Sequence, residues 1–394
     1  MVTGWWPRAT RLGGPTLGAG ELGADDSVSD MSTAARKLRV GIVGGGFMGR
    51  VHGRSALVAG AQVVGAVGSS PERAEAAAEA TGAEQGFASL DELLAADVDL
   101  IHVCTPNNTH LPVTLQALEA GKHVICEKPL ATSAKDATGL HAAAVEADRV
   151  ATVPFVYRYH PMVRELRTRI AAGDAGQITS LHGSYLQDWL AGAEDQNWRV
   201  DDQAGGPSRA FADIGSHWCD LTEFVTADRI VDVSAQTRTV QATRGGVEVR
   251  TEDLATAQFR TAAGVVGTVV VSQVAAGRKN RLYLEVSGTE SSFGFDQEDP
   301  ERLWVGRRAG SQLLTRDPET LSPPAARVNR LPAGHAQGYQ DAFDSFVADS
   351  YAAVLDGDHP DGLPDFAAGA RSARLVDAVL RSAAADGAWT TVEN

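Results

Sequence analysis

The sequence predicts an α/β protein in two parts: an N-terminal doubly wound parallel sheet, then a C-terminal α+β domain on a mostly antiparallel open sheet. Three observations carry this. Between residues 38 and about 155, short β-branched runs alternate with alanine-rich helical stretches, the pattern of βαβ units covered on both faces. The first apolar run, 38–43, is followed at once by Gly44, Gly46 and Gly49. Beyond residue 156 the runs lengthen and alternate with a period of two, as at Leu282, Leu284 and Val286, which suits a sheet with one buried face.

The glycines assign a task to the first part. Gly44 permits a tight turn off the strand, Gly46 lets backbone approach a pyrophosphate, and Gly49 lets the next helix pack against the strand. The helix that follows would carry Phe47, Met48, Val51, Ala56 and Leu57, and its start offers free N–H groups and a positive dipole end to phosphates. Three such glycines mean little alone in a chain with 41, but a second apolar run at 63–67 stands where the next parallel strand belongs. Residues 37–156 are therefore read as a Rossmann dinucleotide-binding domain.

Further helices are expected at 71–81, 89–96, 110–120 and 133–147, with strands at 99–104, 122–126 and 151–155. Ligands of such sheets sit beyond the carboxyl ends of the strands, which singles out Thr105, Pro106, Asn107 and Asn108, and Glu127 with Lys128 and Pro129. Residues 157–394 form the second domain, read as the substrate-binding and oligomerisation part. A helix at 161–172, a strand at 178–186 and an aromatic-rich loop lead to a helix beginning near Ile214. Strands then follow at 231–241, 248–259, 263–274 and 281–288. The proline-rich stretch 308–333 reads as loop, and helices at 336–355 and 366–384 close the structure, one of them expected to return to the first domain.

Bulk properties narrow the function. A net charge of −15 argues against general attraction to nucleic acid or anionic membranes, and no apolar stretch approaches the length of a span. Three scattered cysteines, Cys104, Cys126 and Cys219, make neither a disulfide framework nor a metal cluster, so a cytoplasmic location is expected. Residues 1–36 show no apolar core and no period; they read as a disordered leader, with Met31 a candidate initiator.

Lys128 places an ammonium at the cofactor crevice, and Pro129 after it fixes a rigid turn, with a cis bond an option. Asp213 and His217 are four apart, so on a helix both address one ligand; equally, Asp213 suits an N-cap and His217 a packed histidine. No third ligand stands at metal-binding spacing, so no metal is expected. Tyr185, Gln187, Asp188, Trp198 and Arg199 mix aromatic faces with polar groups, as a polyhydroxylated ring requires, and core packing explains the aromatics equally well. Arg158, Arg278, Lys279 and His335 with Tyr339 are further candidates, each explained equally well as a surface or packing residue, and Tyr157 joins the set through the motif at 157–161.

Together, residues 43–49, Thr105-Pro106-Asn107 with His110, Glu127-Lys128-Pro129, 157–161 and Asp213-Ile214-Gly215-Ser216-His217 resemble the Gfo/Idh/MocA oxidoreductases, in the expected order and from residue 38 to the C-terminus. Segments 183–189, 276–280 and 334–339 look most like the branch acting on sugars and glycosides. The resemblance implies a homo-oligomer built on the open sheet and makes Lys128, Asp213 and His217 the catalytic set. His217 would take a hydroxyl proton as hydride leaves for nicotinamide, Lys128 would stabilise the alkoxide and relay the proton, and Asp213 would orient a neighbouring hydroxyl.

One departure concerns the cofactor. Where an NAD-specific domain carries Asp or Glu after its second strand, this chain has Gly68-Ser69-Ser70. Ser69, Ser70 and Arg73 could bind a 2′-phosphate, so either NAD or NADP is expected. Besides reversible sugar or polyol oxidation, two alternatives stand. One is a redox-neutral glycosidase working through transient C3 oxidation, for which Arg199, Arg278 and Lys279 would suit an anionic sugar; the other is a non-catalytic sensor.

Overall fold

The computed structural model describes residues 36–393; the expected leader and Met31 lie outside the described residues. A six-stranded parallel sheet has the order β3-β2-β1-β4-β5-β6. Its strands are β1 (Arg39–Val43), β2 (Gln62–Val67), β3 (Gly86–Phe87), β4 (Leu100–Val103), β5 (His123–Cys126) and β6 (Ala151–Thr152). Helices α1 (Phe47–Val58), α2 (Pro71–Thr81), α3 (Leu90–Ala95), α4 (His110–Glu119) and α5 (Ala134–Glu146) alternate with them. This is the predicted Rossmann-like arrangement. Local chemistry sets the helix ends: Ser70, Ser89 and Ser133 each cap a helix by accepting a main-chain N–H three residues on.

The next elements are α6 (Pro161–Ala171), β7 (Ile178–Leu186), a single turn α7 (Asp202–Gly205) and α8 (Ser216–Thr226). Strands β8 (Ile230–Arg238), β9 (Thr243–Arg244), β10 (Val247–Glu248), β11 (Leu254–Thr261), β12 (Val266–Ser272) and β13 (Arg281–Gly288) follow. Then come β14 (Ser292–Asp296), β15 (Arg302–Arg307), β16 (Gly310–Thr315), a short α9 (Pro323–Ala326), α10 (Tyr339–Asp356), α11 (Phe366–Ala384) and β17 (Thr390–Thr391). Nine of the strands form one sheet, β16-β15-β14-β13-β7-β12-β11-β8-β17, antiparallel throughout except for the β7–β12 pair. One face buries Leu181, Leu282, Leu284, Phe293 and Phe295 with Trp218 of α8 in a continuous core.

Several expectations needed correction. The strand expected at 248–259 is broken, because Thr251, Glu252 and Asp253 turn inward as buried polar groups and the ladder resumes at Leu254. The stretch read as loop, 308–333, contains the outer strand β16, whose side chains are mostly exposed and so show no apolar period, and the turn α9, begun by Pro323 at its first position. Strands β14 to β17 were not foreseen. Both late helices return to the first domain: Ser55 of α1 donates to Asp344 of α10 at 2.6 Å, and Gly369 of α11 packs where a Cβ would stand 2.8 Å from Leu130.

Candidate active site

The glycine turn has the predicted form. Gly44 sits at φ +106°, and a Cβ there would lie 2.8 Å from the Cys104 carbonyl oxygen. At Gly49 it would lie 2.0 Å from the Gly44 oxygen, so close helix–strand packing needs glycine. At Gly46 a Cβ would meet nothing within 4 Å, and Gly46 borders a cavity of about 660 Å³ running along the strand ends. The start of α1 has no side-chain cap, which leaves its N–H groups for a ligand. An open cradle beside glycine backbone and an uncapped helix start fit the pyrophosphate of a dinucleotide.

Phe47, Met48, Ser69 and Arg73 border the same cavity, as do Thr105, Pro106 and Asn107. Arg73 donates to the Ser69 hydroxyl at 3.0 Å. Ser70 is used differently: its Oγ caps α2 and donates to Glu72 at 2.8 Å. His110 lies 2.8 Å from the Pro129 oxygen and 2.9 Å from the Thr105 oxygen, strapping the two strand-end loops together. Burial holds its imidazole below the usual range. The Asn107 amide donates to the Gly205 oxygen at 2.8 Å, tying the cavity wall to α7.

Glu127 and Lys128 come off the end of β5, and the Lys128–Pro129 bond is cis. Lys128 Nζ donates to both the Asp213 main-chain oxygen and Asp213 Oδ1, each at 2.7 Å. Arg199 Nε lies 3.5 Å from the same Oδ1, and Gln273 Nε2 donates to Oδ2 at 2.7 Å. Burial alone would push the Asp213 carboxyl up, but the charges of Lys128 and Arg199 and the Lys128 hydrogen bond outweigh it and hold the carboxyl far below the usual range.

The helix carrying Asp213 and His217 starts in a wider coil than expected: Phe211–Gly215 is one π-helical segment running into α8. Glu252, not Asp213, serves its N-terminus, accepting from the main-chain N–H of Arg209 at 3.1 Å and of Phe211 at 2.9 Å. Asp213 is thereby free to face Lys128. His217 is buried against the rings of Phe155, Tyr157 and Tyr185, and its Nδ1 has no partner. Burial first and the Lys128 ammonium second drive its imidazole well below the usual range, so the ring is neutral at neutral pH.

Of the expected substrate residues, Tyr157, Tyr185 and Gln187 meet around Asn280. Tyr157 and Tyr185 share a hydroxyl–hydroxyl bond, while Tyr185 and Gln187 each donate to Asn280 Oδ1 at 2.8 Å. Trp198 and Arg199 border the cavity, the guanidinium 4.3 Å from the indole centroid. The others are placed elsewhere. Arg158 is taken up by Asp220 and stacks on Phe224, since burial leaves its charge needing a carboxylate. Asp188 accepts from the exposed Lys279 at 2.7 Å, Arg278 faces Glu298 at 3.7 Å, and His335 is exposed. Gln273 and Asn280 were not singled out from the sequence; a polar pair closing the apolar run Val269-Val270-Val271 was the available signal for the first.

Comparison with known proteins agrees with this geometry. Residues 38–155 match the family described as "Oxidoreductase family, NAD-binding Rossmann fold", and residues 163–294 match the "GFO/IDH/MocA C-terminal domain". Levoglucosan dehydrogenase of Pseudarthrobacter phenanthrenivorans is 30% identical over 91% of this chain and 98% of its own length. A levoglucosan dehydrogenase solved with NADH and levoglucosan is 30% identical, with a TM-score of 0.85 over 91% of this chain and all of that one. An inositol dehydrogenase homolog from Azotobacter vinelandii, solved with NADH and myo-inositol, is 28% identical with a TM-score of 0.83, over 91% and 98%. By fold, cofactor cradle and sequence, the chain belongs to the Gfo/Idh/MocA family of NAD-binding oxidoreductases.

Proposed function

We propose that the protein oxidises, reversibly, a secondary hydroxyl of a pyranose, glycoside or related polyol. The observation that carries this is the Lys128 ammonium locked onto the Asp213 carboxylate beside the glycine-lined cavity, with neutral His217 on the same helix. A bound nicotinamide supplies the hydride acceptor. His217 takes the hydroxyl proton, and its neutral state keeps it able to do so. Lys128 stabilises the negative charge that develops on the oxygen, and passes the proton on. Asp213, held by Gln273 and Lys128, orients a second hydroxyl on the ring.

The ligands of the two solved relatives, levoglucosan and myo-inositol, support a cyclic polyol as the substrate class. The names of the relatives favour net oxidation, and no observation favours the glycosidase or the sensor. The test is incubation with either cofactor and a panel of pyranoses, glycosides and inositols, following reduced nicotinamide and aglycone release together. Reduced cofactor without release supports the reading; release without reduced cofactor contradicts it.

NAD is the cofactor of the family, and we infer that NADP is also accepted. Ser69 and Arg73 border the cavity after β2, where the segment Gly68-Ser69-Ser70 carries no carboxylate and Glu72, held by Ser70, is not among the cavity-lining residues. Arg73→Ala is expected to lower kcat/KM with NADP about tenfold and leave NAD nearly unchanged; equal effects on both would remove the inference. Among the described residues no helix is long and apolar enough to cross a membrane. The free cysteines support a reducing, cytoplasmic setting. Val266, Val270, Trp304 and Leu313, exposed on the outer face of the nine-stranded sheet, support a homo-oligomer formed through that face.

A further inference from the structure

Glu127 is held from behind by three buried groups that the proposed chemistry does not use. Its Oε1 lies 3.0 Å from His52 Nε2, His52 Nδ1 lies 2.8 Å from His102 Nδ1, and His102 Nε2 lies 2.8 Å from the Tyr351 hydroxyl. Both histidines are fully shielded from solvent and Tyr351 is 3% exposed. The chain crosses four elements: α1, β4, the end of β5, and α10.

The order of donors follows from chemistry. An ionised carboxylate only accepts, so His52 presents its N–H at Nε2. With His52 neutral, its Nδ1 accepts, His102 donates from Nδ1, and His102 Nε2 accepts the Tyr351 O–H. Every bond then points toward Glu127, and no ring nitrogen in the chain is left unpaired. His52 also packs against the ring of His102, at 5.1 Å, and the ring of Phe343, at 4.7 Å, which fixes its plane. The other titratable groups that act on Glu127 are Lys128 and His110 from the cofactor side, with Cys104, Cys126 and Tyr339. Burial holds His102 well below the usual imidazole range, which agrees with a neutral ring.

We propose that Tyr351, His102 and His52 are positioning residues for Glu127, keeping its Oε1 occupied so that Oε2 accepts the Lys128 main-chain N–H at 3.1 Å and fixes the root of that side chain in the crevice. The inference rests on the reading of Lys128 as a catalytic group. It also gives a reason for α10 to pack against the first domain: a hydroxyl on that helix completes a hydrogen-bond chain ending in the cavity wall.

A double-mutant cycle on the full chain tests it, with Tyr351→Phe, Glu127→Gln and the pair, read by NADH fluorescence titration and by kcat/KM on myo-inositol and levoglucosan. Tyr351→Phe is expected to cost about fivefold in the wild-type background and nothing further once Glu127 is Gln, a coupling at the low end for residues of one network. Effects that multiply would mean that Tyr351 only packs α10, and would overturn the proposal. A second reading needs no substitution to fold: in ¹⁵N-histidine-labelled wild-type protein at neutral pH, His102 carries its proton on Nδ1 and His52 on Nε2. A proton on His102 Nε2, or on both nitrogens of His52, would overturn it equally. If no polyol is oxidised while the NADH cycle is non-additive, the dehydrogenase reading fails and the chain stands; multiplicative effects with normal turnover remove the chain and leave the dehydrogenase.

Discussion

Lys128 Nζ and Asp213 are joined twice, through the carboxylate and through the main-chain oxygen of the same residue, 85 positions apart in sequence. The two hydrogen bonds fix the ammonium against a π-helical turn instead of a flexible side chain alone. Lys128→Met is expected to lower kcat by about 10²- to 10⁴-fold, the usual worth of a group that handles charge or a proton in the transition state. NADH affinity should change only a few-fold. Equal losses in kcat and in cofactor affinity, measured by steady-state kinetics and titration, would make Lys128 a cofactor anchor.

Gln273 spends a buried amide on Asp213 while its own Oε1 has no partner. Leaving an acceptor unpaired costs about 1–3 kcal/mol, so the contact with Asp213 must be worth comparable stability or serve function. Gln273→Leu is expected to lower kcat/KM about tenfold. Gln273→Glu sets a second carboxylate beside Asp213 and should move the acid limb of the pH profile upward. An unchanged profile in the Glu variant would count against this role.

Burial holds His102, His160 and His217 below the ordinary imidazole range, His160 at about 4. Their unfolded counterparts take up protons near 6.5, so the unfolded state binds more protons in between. Stability therefore rises with pH across that window and is lost as pH falls from about 6.5 towards 4. His160 stacks on Tyr157 and its Nε2 has no partner. His160→Phe is expected to change stability little at pH 7 and to recover about 2 kcal/mol relative to wild type at pH 5, by urea unfolding. A parallel pH dependence in both proteins would refute the assignment.

The start of the helix that carries Asp213 and His217 rests on a buried ionic hub. Arg209 and Asp253 have fully shielded side chains and pair directly, Arg244 reaches Asp253 at 2.9 Å, and Glu252 caps the helix start. Removing one partner strands a buried charge, so Asp253→Asn should destabilise the fold by about 3–5 kcal/mol in chemical denaturation. A loss below about 1 kcal/mol would show that the hub is open to water.

What the sequence revealed depended on whether the causes were local. Gly44 and Gly49 were legible because each answers to a steric demand of its neighbours, and Gly46 because it stands at fixed spacing between them, where a Cβ would meet nothing. The helices at 71–81 and 366–384 showed their caps and apolar stripe within one segment. Strand β16 was hidden because its exposed residues carry no period and it opens on Gly310, at φ +149°. Glu252 and Asp253 sit in a polar run that resembles a solvated face, and only the fold buries them. Gln273 lies 60 positions from Asp213, so no spacing rule could connect them. Arg158 shows the converse: an expected pocket residue whose partner, Asp220, had drawn no attention in the sequence.

The central claim is hydride transfer from a ring carbinol assisted by Lys128, Asp213 and His217. Its most direct test is to supply levoglucosan and myo-inositol deuterated at the carbinol carbons, with NAD, and to examine the cofactor by mass spectrometry. The account requires that the reduced cofactor carry the deuterium, with the rate lost in His217→Ala. Reduced cofactor without the label, or label transfer at wild-type rate in His217→Ala, would contradict it.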